Sequence, residues 1–108
     1  MAEAAIKSLA DGQLAAAKAT IYTSPTATQT IVQSIVLVNS HTSALVVNLY
    51  FKASGGTSRR ISPKDYSLAA GAMMEIDKAV TLEAADILEG SGGTASLVDF
   101  TISGIQNS

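Results

Sequence analysis

The sequence predicts an all-β protein, an antiparallel β-sandwich of about eight strands with jelly-roll-like or Ig-like topology. Apolar and polar residues alternate along several segments, which is the period of a strand with one buried face. Clusters of Gly, Pro, Asn and Ser separate these segments at short intervals, and no segment has a clear helical period. The 108 residues suit one domain without cross-links, and the chain contains no cysteine.

The Ala-rich N-terminus precedes the main domain. We predict an N-terminal arm with a short strand over residues 1–17 and the β-sandwich domain over residues 18–108. Within the arm, residues 6–9 are predicted to form the strand, and Asp11-Gly12 a turn, because Asp-Gly is a frequent hairpin dipeptide. The first few residues are predicted to be mobile.

A strand leading into residues 18–23 is predicted after the Asp11-Gly12 turn, and two long strands follow it. The β-branched residues of segment 28–39 favour a strand that is covered on both sides. Its alternation predicts one face with Ile31, Ile35 and Leu37, and an opposite face with Val32, Val36 and Val38. Residues 44–53 alternate most regularly, which predicts inward positions for Leu45, Val47, Leu49 and Phe51.

The remaining segments are shorter. Glycine pairs at 55–56 and 92–93 indicate turns, and residues 67–71 indicate a loop or bulge. The predicted strands are 58–62, 73–80, 87–90 and a last strand with Val98, Phe100 and Ile102 facing the core.

The surface is predicted to carry few charges. Charged residues make up 15% of the chain, whereas soluble domains carry about 25%. Such a surface loses little hydration when a partner covers it, which favours a subunit of an assembly over a free monomer. The net charge of −2 argues against nucleic acid as a partner.

The charge is unevenly spread along the chain. Residues 1–64 carry six bases and two acids, a net of +4, and residues 65–108 carry one base and seven acids, a net of −6. This polarity could support head-to-tail contacts between subunits. We favour the alternative, in which strands from both halves interleave and mix the charges.

Candidate catalytic residues are few. His41 is the single histidine, and nothing in the sequence orients it as a triad would, which favours a solvated loop residue. Glu75 and Asp77 would share one face of a strand, where they could hold Ca²⁺ or serve a glycosidase, but surface solvation is the favoured explanation. We therefore predict no enzyme, no metal and no cofactor.

Two sets of residues are candidates for binding a partner. Arg59-Arg60 is the only dibasic pair, and it could meet an acidic surface or guard an edge strand against aggregation. Tyr22, Tyr50 and Tyr66 could form a sugar-binding surface, although scattered tyrosines at the margin of the core are favoured.

No membrane or export segment is expected. No apolar run approaches the roughly 18 residues of a membrane span, and the N-terminus lacks the pattern of an export signal. The expectation is a protein made in a cytoplasm, without a membrane partner.

Residues 18–25 (KATIYTSP) and 31–39 (IVQSIVLVN) resemble small β-sandwich virion proteins of tailed bacteriophages. Further similarity lies in three segments: 60–65, 67–71 and 82–90. The resemblance covers residues 18–105 and consists of turn and strand patterns. Ala85 stands where such sequences have Gly, which predicts that this turn avoids a positive φ. Residues 26–28 replace an Ala-Gly turn, which predicts a longer or differently shaped loop.

The resemblance implies a structural virion subunit without catalytic residues. A capsid decoration or cement protein on the outer head surface is favoured, with neck, tail or fibre-base components as the alternative. Its partners would be further copies of itself, with a trimer as one form, and the major capsid protein or other virion proteins. A carbohydrate-binding module for host-surface glycans is the alternative from another class. The candidate protein-contact residues are Ile6, Leu9, Leu14, Arg59 and Arg60; the arm would act by strand addition to a sheet edge.

Overall fold

The computed structural model describes residues 4–108, which form ten β-strands. Their bounds are β1 (Ala4–Gln13), β2 (Ala19–Thr23), β3 (Gln29–Asn39), β4 (Leu45–Lys52), β5 (Ser58–Arg60), β6 (Tyr66–Leu68), β7 (Met73–Ile76), β8 (Val80–Leu82), β9 (Ile87–Ser91) and β10 (Val98–Asn107). No helix in this part of the chain is long and apolar enough to cross a membrane.

The strands form two antiparallel sheets of five strands each. Sheet A has the order β1-β10-β3, and β7 and β8 both pair with the far side of β3. Sheet B has the order β2-β9-β4, and β5 and β6 both pair with the far side of β4. The predicted antiparallel sandwich is confirmed. Its ten strands exceed the predicted eight because residues 66–68 form a strand and the predicted strand 73–80 is split into β7 and β8.

The core lies between the two sheets. Side chains from both sheets form one buried cluster: Leu14, Tyr22, Val32, Ile35, Leu37, Val47, Leu49, Leu68, Leu82, Leu88, Val98, Phe100 and Ile102. The alternation predicted for β4 and β10 is confirmed, since Val47, Leu49, Phe100 and Ile102 are buried. The sandwich is elongated, measuring 48 × 27 × 21 Å.

A bulge in β3 exchanges its two faces. The register with β10 shifts at Gln33, which has no residue opposite. Because the extra residue reverses the alternation, Val32 shares the buried face with Ile35 and Leu37, whereas Ile31 is exposed. The predicted faces are therefore wrong for Ile31 and Val32. The outer face of β3 is open, so the predicted cover on both sides is also wrong.

β1 continues through the predicted turn at Asp11-Gly12. Gly12 lies opposite Phe100 in β10, and a Cβ at position 12 would come within 3.3 Å of the Phe100 ring. The glycine serves close packing instead of reversing the chain, so the predicted turn is wrong. From Ala4 to Gln13 the segment is paired with β10. The predicted mobility of the first residues concerns residues 1–3, which lie outside the described part.

The turn before β9 holds Ala85 in the left-handed region, with φ of 69°. The Asp86 carboxylate accepts the N–H groups of Ser54 at 2.8 Å and Glu83 at 2.9 Å, and the Ala85 N–H donates to Ser24 O at 2.9 Å. These bonds fix the turn strongly enough to impose a conformation that favours glycine. The prediction that Ala85 avoids a positive φ is wrong.

Candidate interaction surfaces

The outer face of sheet A is acidic. Asp11, Glu75 and Asp99 point away from the core, because alternate residues of the same strands pack inward, and all three side chains are exposed. The Gln13 side-chain amide donates to Asp99 Oδ1 at 3.0 Å. Lys7 is the single base in the strands of this sheet, so these strands carry three acids and one base.

The outer face of sheet B is basic. Lys52 and Arg60 point outward from β4 and β5, and Lys18 directly precedes β2. Arg59 is also exposed, on the edge strand β5. The single acid in the strands of sheet B is Glu89, which is only 9% exposed. These strands therefore carry three bases, Lys52, Arg59 and Arg60, against one acid.

The difference in charge between the two halves of the sequence thus appears in the fold as a difference in charge between the outer faces of sheets A and B. Each sheet contains strands from both halves of the chain, as predicted. The charges are nevertheless not mixed, because the acidic strand residues of the C-terminal half lie mostly in sheet A and the basic ones of the N-terminal half mostly in sheet B. The favoured expectation that interleaving would mix them is wrong.

Tyr50 lies at the centre of the basic face. Lys18 Nζ and Arg60 Cζ each lie 4.9 Å from its ring centroid, within the roughly 6 Å of a cation–π contact. Lys18 also donates to Ser58 Oγ at 3.1 Å, and Arg60 donates to Asn48 Oδ1. These contacts hold two long basic side chains against the sheet, which lowers the entropy that a partner would have to remove.

The buried carboxylate of Glu89 takes part in the hydrogen bonds that hold Lys18. Ser58 Oγ donates to Glu89 Oε1 at 2.5 Å, and Glu89 lies opposite Tyr50 in the register of β4 and β9. Asn48, also on the outer face, accepts the N–H of Asp65 at 2.9 Å and donates to the Asp65 carboxylate at 3.2 Å. The polar residues of sheet B therefore form two hydrogen-bonded groups, one with Glu89 and Ser58 that holds Lys18, and one with Asp65 and Asn48 that holds Arg60.

β1 has one free edge. It is the last strand of sheet A, has ten residues and, among the described residues, pairs with β10 alone through nine of them. The other edge strands of the described residues are shorter: β2 has five residues, β7 has four, and β5, β6 and β8 have three each. A long free edge presents a row of backbone N–H and C=O groups that another strand can bind.

An apolar row begins at this edge. Ile6 in β1 lies opposite Ile105 in β10, and Ile105 lies opposite Ile31 in β3, all on the outer face of sheet A. Ile6 is 89% exposed and Ile31 is 39% exposed, with Ile105 half-buried between them. We call these three residues the isoleucine row.

The structure separates the predicted contact residues. Ile6 is at the surface, Leu9 is half-buried against the core, and Leu14 is 1% exposed within the core, so Leu14 offers no surface in this fold. Arg59 and Arg60 lie on edge strand β5 of the other sheet, the position that edge protection requires.

Sequence reasoning missed two members of the isoleucine row and the basic residue Lys52. Ile105 lies three residues beyond the buried Ile102, an odd spacing that places it on the opposite face of a regular strand. The sequence therefore indicated that Ile105 faces outward. Ile31 gave no such signal, because the bulge at Gln33 changes its face.

The candidate catalytic residues lie in different elements of the fold. His41 is half-buried in the β3–β4 loop, where its backbone N–H donates to Asn39 Oδ1 at 2.9 Å. Glu75 is in β7, whereas Asp77 lies beyond the end of that strand. Among residues 4–108, no three His, Cys, Asp or Glu side chains cluster in a way that could hold a metal ion. A depression of about 170 Å³ beside Ala85 and Ile87 has Lys52 as the single titratable residue in its lining.

The three tyrosines do not share a surface. Tyr22 is buried, and its hydroxyl accepts a hydrogen bond from Gln106 Nε2 at 2.7 Å and contacts Thr30 Oγ1 at 3.2 Å. Tyr50 is on the outer face of sheet B, and Tyr66 is on the edge strand β6. A binding platform made of all three is therefore excluded in this fold.

Comparisons with known proteins find a likeness in fold to two solved structures. No family model matches the chain, and no curated protein matches its sequence. A structure of Bacillus endospore appendages, described as disulfide-linked pili, is similar over 98% of this chain and 85% of that chain, with 21% identity and a TM-score of 0.53. A particle structure of infectious bursal disease virus is similar over 99% of this chain, with 11% identity and a TM-score of 0.51.

These likenesses concern the fold. The chain spans about a third of the length of the bursal disease virus proteins that it matches. It spans most of the appendage subunit, but the disulfide linkage of those pili has no counterpart here, because this chain contains no cysteine.

Proposed function

We propose that this protein is a structural virion subunit, and more specifically a head decoration or cement protein of a tailed bacteriophage. The observation that carries the proposal is the pair of outer faces with opposite charge, which suits a subunit that contacts different neighbours on its two sides. The resemblance of residues 18–105 to phage virion sandwiches supports it, as does the fold-level likeness to a viral particle and a pilus subunit. The protein would be made in the host cytoplasm and located in the virion.

The proposed mechanism is stabilisation by binding the assembled shell. A protein that binds only the assembled lattice adds a free energy that dispersed coat subunits do not receive, so it opposes disassembly. Complementary charges would orient the subunit on the lattice and accelerate its encounter with it. Because exposed charges are screened by salt, binding through a charged face should weaken as the salt concentration rises.

Locating the chain on particles tests the proposal. Particles would be purified from the host that carries the gene and imaged by cryo-electron microscopy, and the fitted sandwich should lie on the outer head surface. A position at the neck, tail or fibre base would keep the virion role and overturn the decoration role. Absence of the chain from particles would overturn both.

Charge reversal identifies the face that binds. The full-length protein would be added to particles that lack it, and bound protein would be measured by co-sedimentation at low and high salt. Lys52→Glu combined with Arg60→Glu tests the basic face, and Glu75→Lys combined with Asp99→Lys tests the acidic face. Lys64→Glu, in the loop after β5, is the matched control. Equal binding by all variants would contradict docking through either face.

A further inference from the structure

The free edge of β1 points to a contact with a second copy of this chain. We propose that two copies pair their β1 strands antiparallel about a two-fold axis, with Ile6 opposite Ile6 of the second copy, so that two five-stranded sheets become one continuous ten-stranded sheet. The inference does not depend on the virion role and would stand in any other assembly.

The edge itself is the first argument. Natural edge strands are protected by shortness, by charges, by proline or by bulges. The N-terminal half of β1, residues 4–8, has one charge, no proline and a regular register with β10, and the bulge lies after it at Leu9. The most exposed large apolar side chain among the described residues, Ile6 at 89%, is at the centre of this stretch, whose single protecting charge is Lys7.

The geometry of a two-fold pair restricts the register. In an antiparallel pair of identical strands the two-fold axis is normal to the sheet, so the outer faces of both copies lie on the same side of the joined sheet. Residues opposite each other must therefore point to the same side. The bulge at Leu9 ends a regular ladder after Ser8, so within the described residues such a ladder spans residues 4–8. Only registers centred on Ala5, Ile6 or Lys7 remain.

Two of these three registers are poor. Centring on Lys7 would place two lysines directly opposite each other, and like charges at opposite positions are destabilising. Centring on Ala5 would place Ile6 opposite Ala4, so the isoleucine rows of the two copies would be out of register. Centring on Ile6 uses all five residues, with Ala4 opposite Ser8 and Ala5 opposite Lys7.

The isoleucine row supports the same register. Ile6 already lies beside Ile105 and Ile31 on the outer face. Pairing at Ile6 joins the rows of both copies into six adjacent isoleucines across six strands, and the most exposed side chain gains an apolar neighbour. Neighbouring strands lie about 4.8 Å apart, so these side chains would be in cross-strand contact.

The contact area between the two β1 strands is small, so the expected association is weak. Stable complexes bury about 800 Å² on each partner, and a five-residue strand pair buries much less. We expect weak, concentration-dependent association of the isolated protein that becomes effective when other contacts already hold two copies nearby. In a trimeric particle subunit, the same contact would join one trimer to the next.

The absence of cysteine allows a direct test by cross-linking. Opposite residues have Cβ atoms about 4.5–5.5 Å apart, close enough for a disulfide with slight adjustment. Ile6→Cys should therefore form a disulfide-linked dimer under mild oxidation. Met73→Cys is the matched control, since Met73 is 62% exposed on the same outer face but lies in β7 at the other edge, and it should remain unlinked.

Two further variants test the register. Ala4→Cys alone and Ser8→Cys alone should not cross-link, because each cysteine would lie about 13 Å along the strand from its own symmetry mate. A mixture of the two, one carrying a mass tag, should give the mixed dimer. Ile6→Lys should abolish concentration-dependent association of the otherwise unmodified chain in sedimentation velocity, and Met73→Lys should leave it unchanged.

The outcomes separate this inference from the proposed function. Cross-linking of Ile6→Cys no faster than that of Met73→Cys, together with no mixed dimer, would overturn the β1 contact whatever the location of the protein on particles. Cross-linking of Ala4→Cys alone would overturn the register. Positive cross-linking in a protein that is absent from virions would leave the contact intact and remove the virion role.

Discussion

Gly104 in β10 has no room for a side chain beside the β3 backbone, and its replacement by alanine is a demanding test of the sheet A register. Gly104 lies opposite Val32 at the bulge of β3 and is buried. A Cβ at this position would come within 2.1 Å of the Ile31 carbonyl oxygen, 3.0 Å of the Ile31 carbonyl carbon and 3.0 Å of Leu9 Cδ1. The closest of these contacts is with backbone, which cannot move away by changing a rotamer.

The magnitude follows from the size of the overlap. A Cβ is essentially never closer than 3.0 Å to such an atom, so the central strands of sheet A must separate by close to 1 Å at this point. Overpacking typically costs about 1–3 kcal/mol, and strain on a central backbone ladder belongs at or above the upper end. We expect Gly104→Ala to lower the free energy of unfolding by about 3 kcal/mol or more. At about 4 °C per kcal/mol, the expected fall in Tm is at least roughly 12 °C.

Urea unfolding followed by far-ultraviolet circular dichroism measures this loss. Gly55→Ala is the matched control, because Gly55 has φ of 73° but no atom within 4 Å of an added Cβ. It should lose only the cost of a left-handed alanine, about 1–2 kcal/mol. A Gly104→Ala protein that loses less than the control would refute the register of β10 with β3 and the bulge at Gln33.

Three other substitutions test separate features. Ala85→Gly should remove the strain of the left-handed alanine in the β8–β9 turn and raise the free energy of unfolding by up to about 1 kcal/mol, after the entropy cost of glycine is subtracted. The adjacent control Ala84→Gly should lower the free energy of unfolding. A lower Tm for Ala85→Gly would contradict the conformation of this turn. Asn39→Ala should lower the free energy of unfolding measured in urea by about 3 kcal/mol, because the fully buried amide donates to Ser43 O at 3.0 Å and Leu68 O at 2.9 Å. An unchanged midpoint of urea unfolding would show that these carbonyls find other partners. Tyr22→Phe removes the hydroxyl that links Thr30 and Gln106 and should lower the free energy of unfolding by about 1 kcal/mol. A loss as large as that of Asn39→Ala would contradict the assignment of these hydrogen bonds.

The placement of the binding surfaces was only partly predictable. The low charge content predicted a surface suited to partners, and Arg59-Arg60 was predicted to lie at an edge or an interface, which matches its position in β5. The segregation of charge between the sheets was not predictable, because it depends on which strands become neighbours. Those pairings join residues as distant as Ala4 and Asn107, and no local pattern encodes them.

Local alternation determined much of the fold from the sequence alone. In β4 and in residues 98–102 of β10 every second residue is apolar, so the two-residue period specifies both the strand and its buried face. Where a local signal was ambiguous, tertiary contacts decided. Asp11-Gly12 remains extended because the Phe100 ring packs on the glycine, and Ile31 changes face because β3 accommodates one extra residue against β10.

The sequence by itself therefore determined the class of fold, the central strands and the sparsely charged exterior, because these follow from composition and short-range periodicity. Tertiary structure alone decided the β3 bulge, the left-handed Ala85, the free edge of β1 and the isoleucine row across three strands. Each of these arises from contacts between segments far apart in the chain, whose geometry is set only when the sheets close around a common core.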